Sequence, residues 1–413
     1  MIFHCVKPGI LLMLAFMLFL GVEGMVAFET LRVENGDFVR LSNGERIYVR
    51  TAGHGSIPVV LLSGNNTSGR IFESLLSFVR AIDEINDRYT FYAFDYRGSG
   101  MSSYHKKITS LEDFARDFDE IVQRDERLKQ GGIVLVGYSM GFGVAQEMIF
   151  LAPEKYEYVI SLAGMGTRGI RVPFTPENAG TDPSTGKTYQ PGDWVDSLSA
   201  TAFHQRSWQG ENRTYERVKA TWNMLVFNDI LKYSISSFSP TKNDFMNSPF
   251  YEDSIRDVLS VEYMPESLFA SHMFNASTET ISHTNSDGTQ VVIPGSGKVT
   301  AFKGKKVLLV KARTDYINWR GDLVVMDQVT QNSKYDLKQA GAHVDALIFE
   351  PDRGFDHGFP IDHSLETLKI IHAFVENGGQ LDRSFLDSLL GEGNYTIYNH
   401  EEDSWEMKTY GGF

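Results

Sequence analysis

The sequence predicts an α/β fold: a mostly parallel sheet with helices on both faces and an inserted, mainly helical cap. Three observations predict it. Short runs of Val, Ile and Leu recur along residues 58–164 and again along 305–350; continuous apolar runs are what strands buried on both faces require. Between them lie segments whose apolar residues repeat at helical spacing. The alternation stops after Gly164 and resumes near residue 305, which points to an insertion within one layered unit.

The elements follow in order. "GDFVRLSNGERIYVRTAG" (36–53) holds two alternating runs around Asn43-Gly44, a hairpin signal that adds an antiparallel edge. "PVVLLS" (58–63) is a buried strand, "IFESLLSFVRAIDEI" (71–85) a helix and "YTFYAFDY" (89–96) a strand. "SLEDFARDFDEIVQRDE" (110–126) opens on a Ser cap and continues as a helix. "GIVLVG" (132–137), "GVAQEMIFLA" (143–152) and "YEYVISLAG" (156–164) read as strand, helix and strand. After the insertion come a strand at 305–312, a helix at 322–341, a strand at 344–350 and a helix at 363–377. The domain plan is a core at 28–164 and 301–377, a cap at 165–300 and a C-terminal extension at 378–413 that the pattern does not place.

The cap is rich in Gly, Pro, Ser, Thr and Asn, with helical patterns at 214–235 and 252–274. "HTNSDGTQVVIPGSG" (283–297) reads as a hairpin or loop. Its aromatics, among them Phe203, Trp208, Trp222 and Phe227, read as the cap's own core, since aromatics at helical spacing pack inward. A pocket for an acyl chain is the alternative.

The net charge of −14 argues against nucleic acid as a partner, because phosphates require a basic footprint. Lys7 precedes "GILLMLAFMLFLGV" (9–22), which is followed by small residues. This is the pattern of a secretory signal peptide (1–24) ending at Gly24 or Ala27; a retained N-terminal anchor, with membrane contact only in that case, is the alternative. The only cysteine, Cys5, lies inside this segment, so a processed chain offers no disulfide, thiolate metal site or cysteine nucleophile. Sequons occur at Asn65, Asn66, Asn212, Asn275 and Asn394.

"IVLVGYSMGFGVAQEM" (133–148) carries the chemistry. A strand runs into Gly137-Tyr138-Ser139-Met140-Gly141 and directly into a helix. A nucleophile on such a turn projects from the sheet edge, next to the free amides of a helix N-terminus. Gly137 and Gly141 are read as places where a Cβ would meet neighbouring backbone. The base is expected after the last strand, at His357 in Asp356-His357-Gly358, with His363 as rival. The orienting acid is expected after the preceding strand, at Asp315, with Asp322 read instead as an early residue of the next helix. The oxyanion donors are the backbone N–H groups of Met140 and of Asn65, in the loop Ser63-Gly64-Asn65. A sugar on Asn65 or Asn66 would fill that site.

These residues, in this order, resemble the α/β-hydrolase fold superfamily, which implies an eight-stranded-type sheet. "FDYRGSGMSS" (94–103) is similar to the Asp-X-Arg-Gly-X-Gly-X-Ser segment of capped members, where Arg97, Gly98 and Gly100 shape the entrance loop. Ser63 stands where many members carry a histidine. The resemblance implies acyl transfer through a Ser139-His357-Asp315 triad, with a small-molecule ester as partner and no cofactor or metal. Dehalogenase and epoxide hydrolase chemistry is disfavoured, because those members carry aspartate at the nucleophile position. Peptide or carbon–carbon bond hydrolysis, or a non-catalytic binding role, are the alternatives.

Overall fold

The computed structural model describes residues 36–65, 67–169, 179–181, 186–194, 216, 252, 274–313, 315–319, 322–325, 327–350 and 355–402. The predicted signal segment lies outside these residues, as does most of the predicted cap. Among the described residues no helix is long and apolar enough to cross a membrane.

The centre is a nine-stranded sheet built from β1 (Gly36–Arg40), β2 (Arg46–Ala52), β3 (Ile57–Leu62), β4 (Tyr89–Phe94), β5 (Ile133–Tyr138), β6 (Tyr156–Leu162), β7 (Lys306–Ala312), β8 (His343–Phe349) and β9 (Tyr395–Tyr398). Their spatial order is β1-β2-β4-β3-β5-β6-β7-β8-β9. From β4 to β8 all pairings are parallel. β2 and β9 add antiparallel strands at the two sides. The Asn43-Gly44 turn closes the first hairpin, with Leu41 N–H donating to the Glu45 carbonyl at 2.8 Å.

Among the described residues the α-helices longer than four residues are α1 (Glu73–Ala81), α2 (Asp83–Arg88), α3 (Leu111–Arg124), α4 (Met140–Leu151), α5 (Asp327–Gln339), α6 (Ser364–Glu376) and α7 (Arg383–Leu390). They cover both faces, and strand alternation explains how. In β5, Ile133 and Leu135 pack into one core with residues of α3 and α4, while Val134, Val136 and Tyr138 enter the other with residues of α1 and α6. Each strand thus feeds two apolar layers, so its sequence shows no polar alternation. At the start of α3, the Asp113 carboxylate accepts from the amides of Thr109 at 2.7 Å and Ser110 at 3.2 Å, which satisfies donors that the helix leaves open.

The structure differs from the sequence-based expectations in three places. The helix expected over 71–85 is broken at Ile82, whose extended backbone separates α1 from α2. The helix expected from 322 begins at Asp327, because Tyr316–Trp319 and Asp322–Val325 pair as an antiparallel hairpin. Asp322 is therefore a strand residue opposite Trp319. The C-terminal extension is part of the core: α7 packs on one layer and β9 hydrogen-bonds β8. With β9 included the sheet has nine strands. The polar segment near 283–297 contains the hairpin Ile281–Thr284 with Gln290–Ile293. The two helical patterns of the predicted cap lie outside the described residues, apart from Glu216, Glu252 and Phe274.

The strand order also locates a crevice. The connection leaving β3 runs to β4 on one side, and that leaving β5 runs to β6 on the other. Between adjacent strands whose connections diverge, the carboxyl ends leave an open cleft, where ligands bind in open α/β sheets.

Candidate active site

Ser139 stands at the carboxyl end of β5, beside that cleft. Its backbone has φ 54° and ψ −119°, a conformation rare for a residue with a side chain. Surrounding backbone holds it there. Ser139 N–H donates to the Leu162 carbonyl at 2.9 Å, and the Ser139 carbonyl accepts from Phe142 and Met165, each at 3.1 Å. The flanking glycines are sterically required. A Cβ on Gly137 would lie 2.5 Å from Phe142 Cα, and one on Gly141 would lie 2.2 Å from the Leu62 carbonyl oxygen. The tight turn therefore brings the first turn of α4 against the end of β3.

The structure brings together the three side chains that the sequence singled out. His357 Nε2 lies 3.1 Å from Ser139 Oγ, and His357 Nδ1 lies 2.8 Å from Asp315 Oδ1. A carboxylate can only accept, so Nδ1 carries the proton and Nε2 of the neutral ring is left to accept from the serine hydroxyl. Asp315 follows β7, with its amide donating to the Ala312 carbonyl at 3.0 Å. His357 follows β8 in a turn tied by the Gly358 amide to Asp356 Oδ1 at 2.7 Å. Asp315 is 1% exposed and His357 8%. Burial pulls the His357 pKa down, but the charge and hydrogen bond of Asp315, aided by Asp356, outweigh it and leave the pKa raised. The Tyr138 ring lies 5.4 Å from the imidazole; burial, then the charges of Asp315, Asp356 and Asp362, push its phenol well above its ordinary value.

The rival His363 is buried at the start of α6, stacked on Phe355 with ring centroids 3.9 Å apart. It has Asp362 and Glu366 as its carboxylate neighbours. Asp322, the rival acid, sits in the hairpin beyond Asp315.

Met140 is the first residue of α4 and buried; an amide at that position has no acceptor within its helix. The loop after β3 passes beside it. A Cβ on Gly64 would lie 3.3 Å from Ser139 Cβ and 3.1 Å from the Tyr138 ring. Asn65 follows, partly exposed, and its Oδ1 is buried without a hydrogen-bond partner among the described residues. Ser63 Oγ is likewise buried and unpaired among them.

The segment 94–103 is held by charge. Arg97 makes a two-pronged contact with Asp117, at 2.8 and 3.0 Å, and donates to the Lys106 carbonyl at 3.0 Å. Gly98 and Gly100 take positive φ. Sequence reasoning missed Asp95. Its Oδ1 accepts from Gly69 N–H at 2.9 Å and from Arg50, and its Oδ2 accepts from Met101 N–H at 2.9 Å. The signal was present as the first residue of the Asp-X-Arg-Gly segment, but local sequence does not say which loops a carboxylate will join. Of the sequons, Asn275 is 1% exposed with Nδ2 donating to the Glu279 carbonyl at 2.8 Å, which leaves no room for a sugar. Asn66 and Asn212 lie outside the described residues.

Comparison with known proteins agrees with this architecture. Residues 57–263, half of the chain, match the family profile described as alpha/beta hydrolase fold. An esterase from Exiguobacterium antarcticum is 17% identical, with 83% of this chain and 99% of that one aligned and a TM-score of 0.52. An esterase from a Rhodococcus species is 14% identical over 83% of this chain and 98% of its own, at 0.51. A bromoperoxidase from Bacillus anthracis is 16% identical over 83% and 99%, at 0.52. At these identities the likeness is one of fold. No curated protein matches the sequence. With the sheet order, the strained turn at Ser139 and the matched half of the chain taken together, this protein belongs to the alpha/beta hydrolase fold family.

Proposed function

We propose that the protein is a serine hydrolase that cleaves a carboxylic ester, or a related acyl bond, of a small molecule through an acyl-enzyme. The observation that carries this reading is the continuous relay from Asp315 through His357 to Ser139, with contacts of 2.8 and 3.1 Å, ending on a strained strand-to-helix turn. Two of the similar solved structures are described as esterases, which favours an ester over the other acyl bonds.

In this mechanism His357 Nε2 takes the Ser139 proton as Oγ attacks the substrate carbonyl carbon. Asp315 holds the ring tautomer and stabilises the imidazolium that forms. The amides of Met140 and Asn65 donate to the developing oxyanion. His357 then gives its proton to the departing alkoxide. Water, deprotonated by the same nitrogen, attacks the acyl-enzyme and releases the acid and free Ser139. The raised His357 pKa matches a base that must also serve as an acid.

The deciding experiment is hydrolysis of p-nitrophenyl acetate, butyrate and laurate by wild type beside Ser139→Ala. Serine-dependent release is expected, and its chain-length preference reports on the pocket. A folded wild type that neither hydrolyses these esters nor reacts with a fluorophosphonate probe would refute the assignment. From residues 7–27 we further propose an extracytoplasmic location after removal of the leader. Export with an unprocessed N-terminus, read by N-terminal sequencing, would replace cleavage with anchoring.

A further inference from the structure

The loop after β3 turns on Gly64, which has no Cβ to bias its backbone and can flip its peptide readily. Two side-chain hydroxyls oppose such a flip. Thr67 Oγ1 donates to the Gly64 carbonyl at 2.8 Å, and Thr67 is buried. Tyr96 Oη donates to the Ser63 carbonyl at 2.6 Å. The Tyr96 ring is fully buried and packs on Phe114 and Phe118, with centroids 4.6 and 5.4 Å away. Tyr96 is thus a rigid post rather than a surface hydroxyl. Beyond the loop, Gly69 N–H is fixed by Asp95.

A trans peptide points its C=O and its N–H in opposite directions. The hydroxyl that holds the Gly64 carbonyl therefore sets the direction of the Asn65 N–H, which belongs to the same peptide. The Tyr96 contact does the same for the Gly64 N–H. Gly64 itself lies against Ser139, and Gly141 lies against the carbonyls of Leu62 and Ser63. The peptides being held are those that run past the nucleophile.

We infer that Thr67 and Tyr96 are positioning residues for the oxyanion site: their hydroxyls lock the two peptides flanking Gly64 and aim the Asn65 N–H at the charge that develops in the reaction. The inference rests on the acyl-transfer reading above. Both hydroxyls are engaged by loop carbonyls, so their effect is expected on the transition state, through the aimed amide, rather than on substrate binding.

The test compares Thr67→Val, which keeps the shape and removes the hydroxyl, with Thr67→Ser, which restores it. The readouts are kcat and KM for p-nitrophenyl butyrate and inhibition by butylboronic acid, which forms a tetrahedral anionic adduct on a serine. Deleting an oxyanion donor typically costs 10²–10³ in kcat; loosening one is expected to cost about 10-fold. KM should stay within about twofold and boronate affinity should fall in step with kcat, because only the charged species uses the site. Thr67→Ser should return most of the rate. If Thr67→Val does not fold, Tyr96→Phe gives the same readouts through the adjoining peptide. An unchanged kcat in the Val variant, a loss of rate with boronate affinity intact, or failure of Ser to rescue would overturn the inference while leaving the triad standing. A wild type with no serine-dependent turnover and no fluorophosphonate labelling would overturn the underlying reading and this inference with it.

Discussion

Asp315→Asn tests the relay most directly. Asparagine keeps the shape of the side chain but can present an N–H to His357 Nδ1, where the carboxylate now accepts at 2.8 Å. The ring would then carry its proton on Nε2, the atom 3.1 Å from Ser139 Oγ, and could no longer accept from the hydroxyl. The charge is lost as well. Both groups are nearly sealed from water, with side-chain exposures of 10% and 0%. For charge centres about 4 Å apart at an effective dielectric of ~20, the pairing with an imidazolium is worth about 4 kcal/mol. At about 1.4 kcal/mol per decade that is roughly 10³ in rate, and the wrong tautomer brings the expected loss in kcat to about 10³–10⁴. The assay is kcat and kcat/KM for p-nitrophenyl butyrate across pH. In wild type the raised His357 pKa means that the ring stays protonated to higher pH, so kcat/KM falls as pH drops through that raised value. Without the Asp315 charge this acid limb should move to lower pH. A variant within tenfold of wild type, or with its acid limb unmoved, would refute the role given to Asp315.

Two further outcomes concern the scaffold. A chain ending at residue 377 lacks α7 and β9, which bury Leu386, Leu390, Tyr395, Ile397 and Tyr398. At about 1.5–3 kcal/mol for each large side chain the loss is comparable with the whole stability of a domain, and β8 is left as an open edge. The truncated chain should be insoluble or unfolded; a soluble form with a cooperative melt would contradict this. Gly141→Ala places a Cβ 2.2 Å from the Leu62 carbonyl oxygen, which should cost about 1–3 kcal/mol and displace the loop beside Ser139. An unchanged denaturation midpoint together with unchanged turnover would show that the turn has more freedom than its geometry implies.

By itself the sequence determined the layered α/β architecture. Burial on both faces demands continuous apolar strands, and cover on both sides demands helices between them, so local pattern carries that information. It also offered Ser139, His357 and Asp315 as candidates, because each follows the carboxyl end of an expected strand. The misses have physical causes. Leu323, Val324 and Val325 read equally well as helix or strand, and only pairing with residues 316–319 decided between them. The segment 395–398 is a strand because it completes the edge at β8; its polar surroundings gave no sign of that partner. Tertiary structure alone decided the contacts that make the site. His357 and Ser139 are 218 residues apart in the chain, and His357 and Asp315 are 42 apart. Hydrogen bonds at that separation depend on strand order and loop path, as does the use of Tyr96 and Asp95 to tie down loops. Those follow from how the layers pack, which no local window of sequence contains.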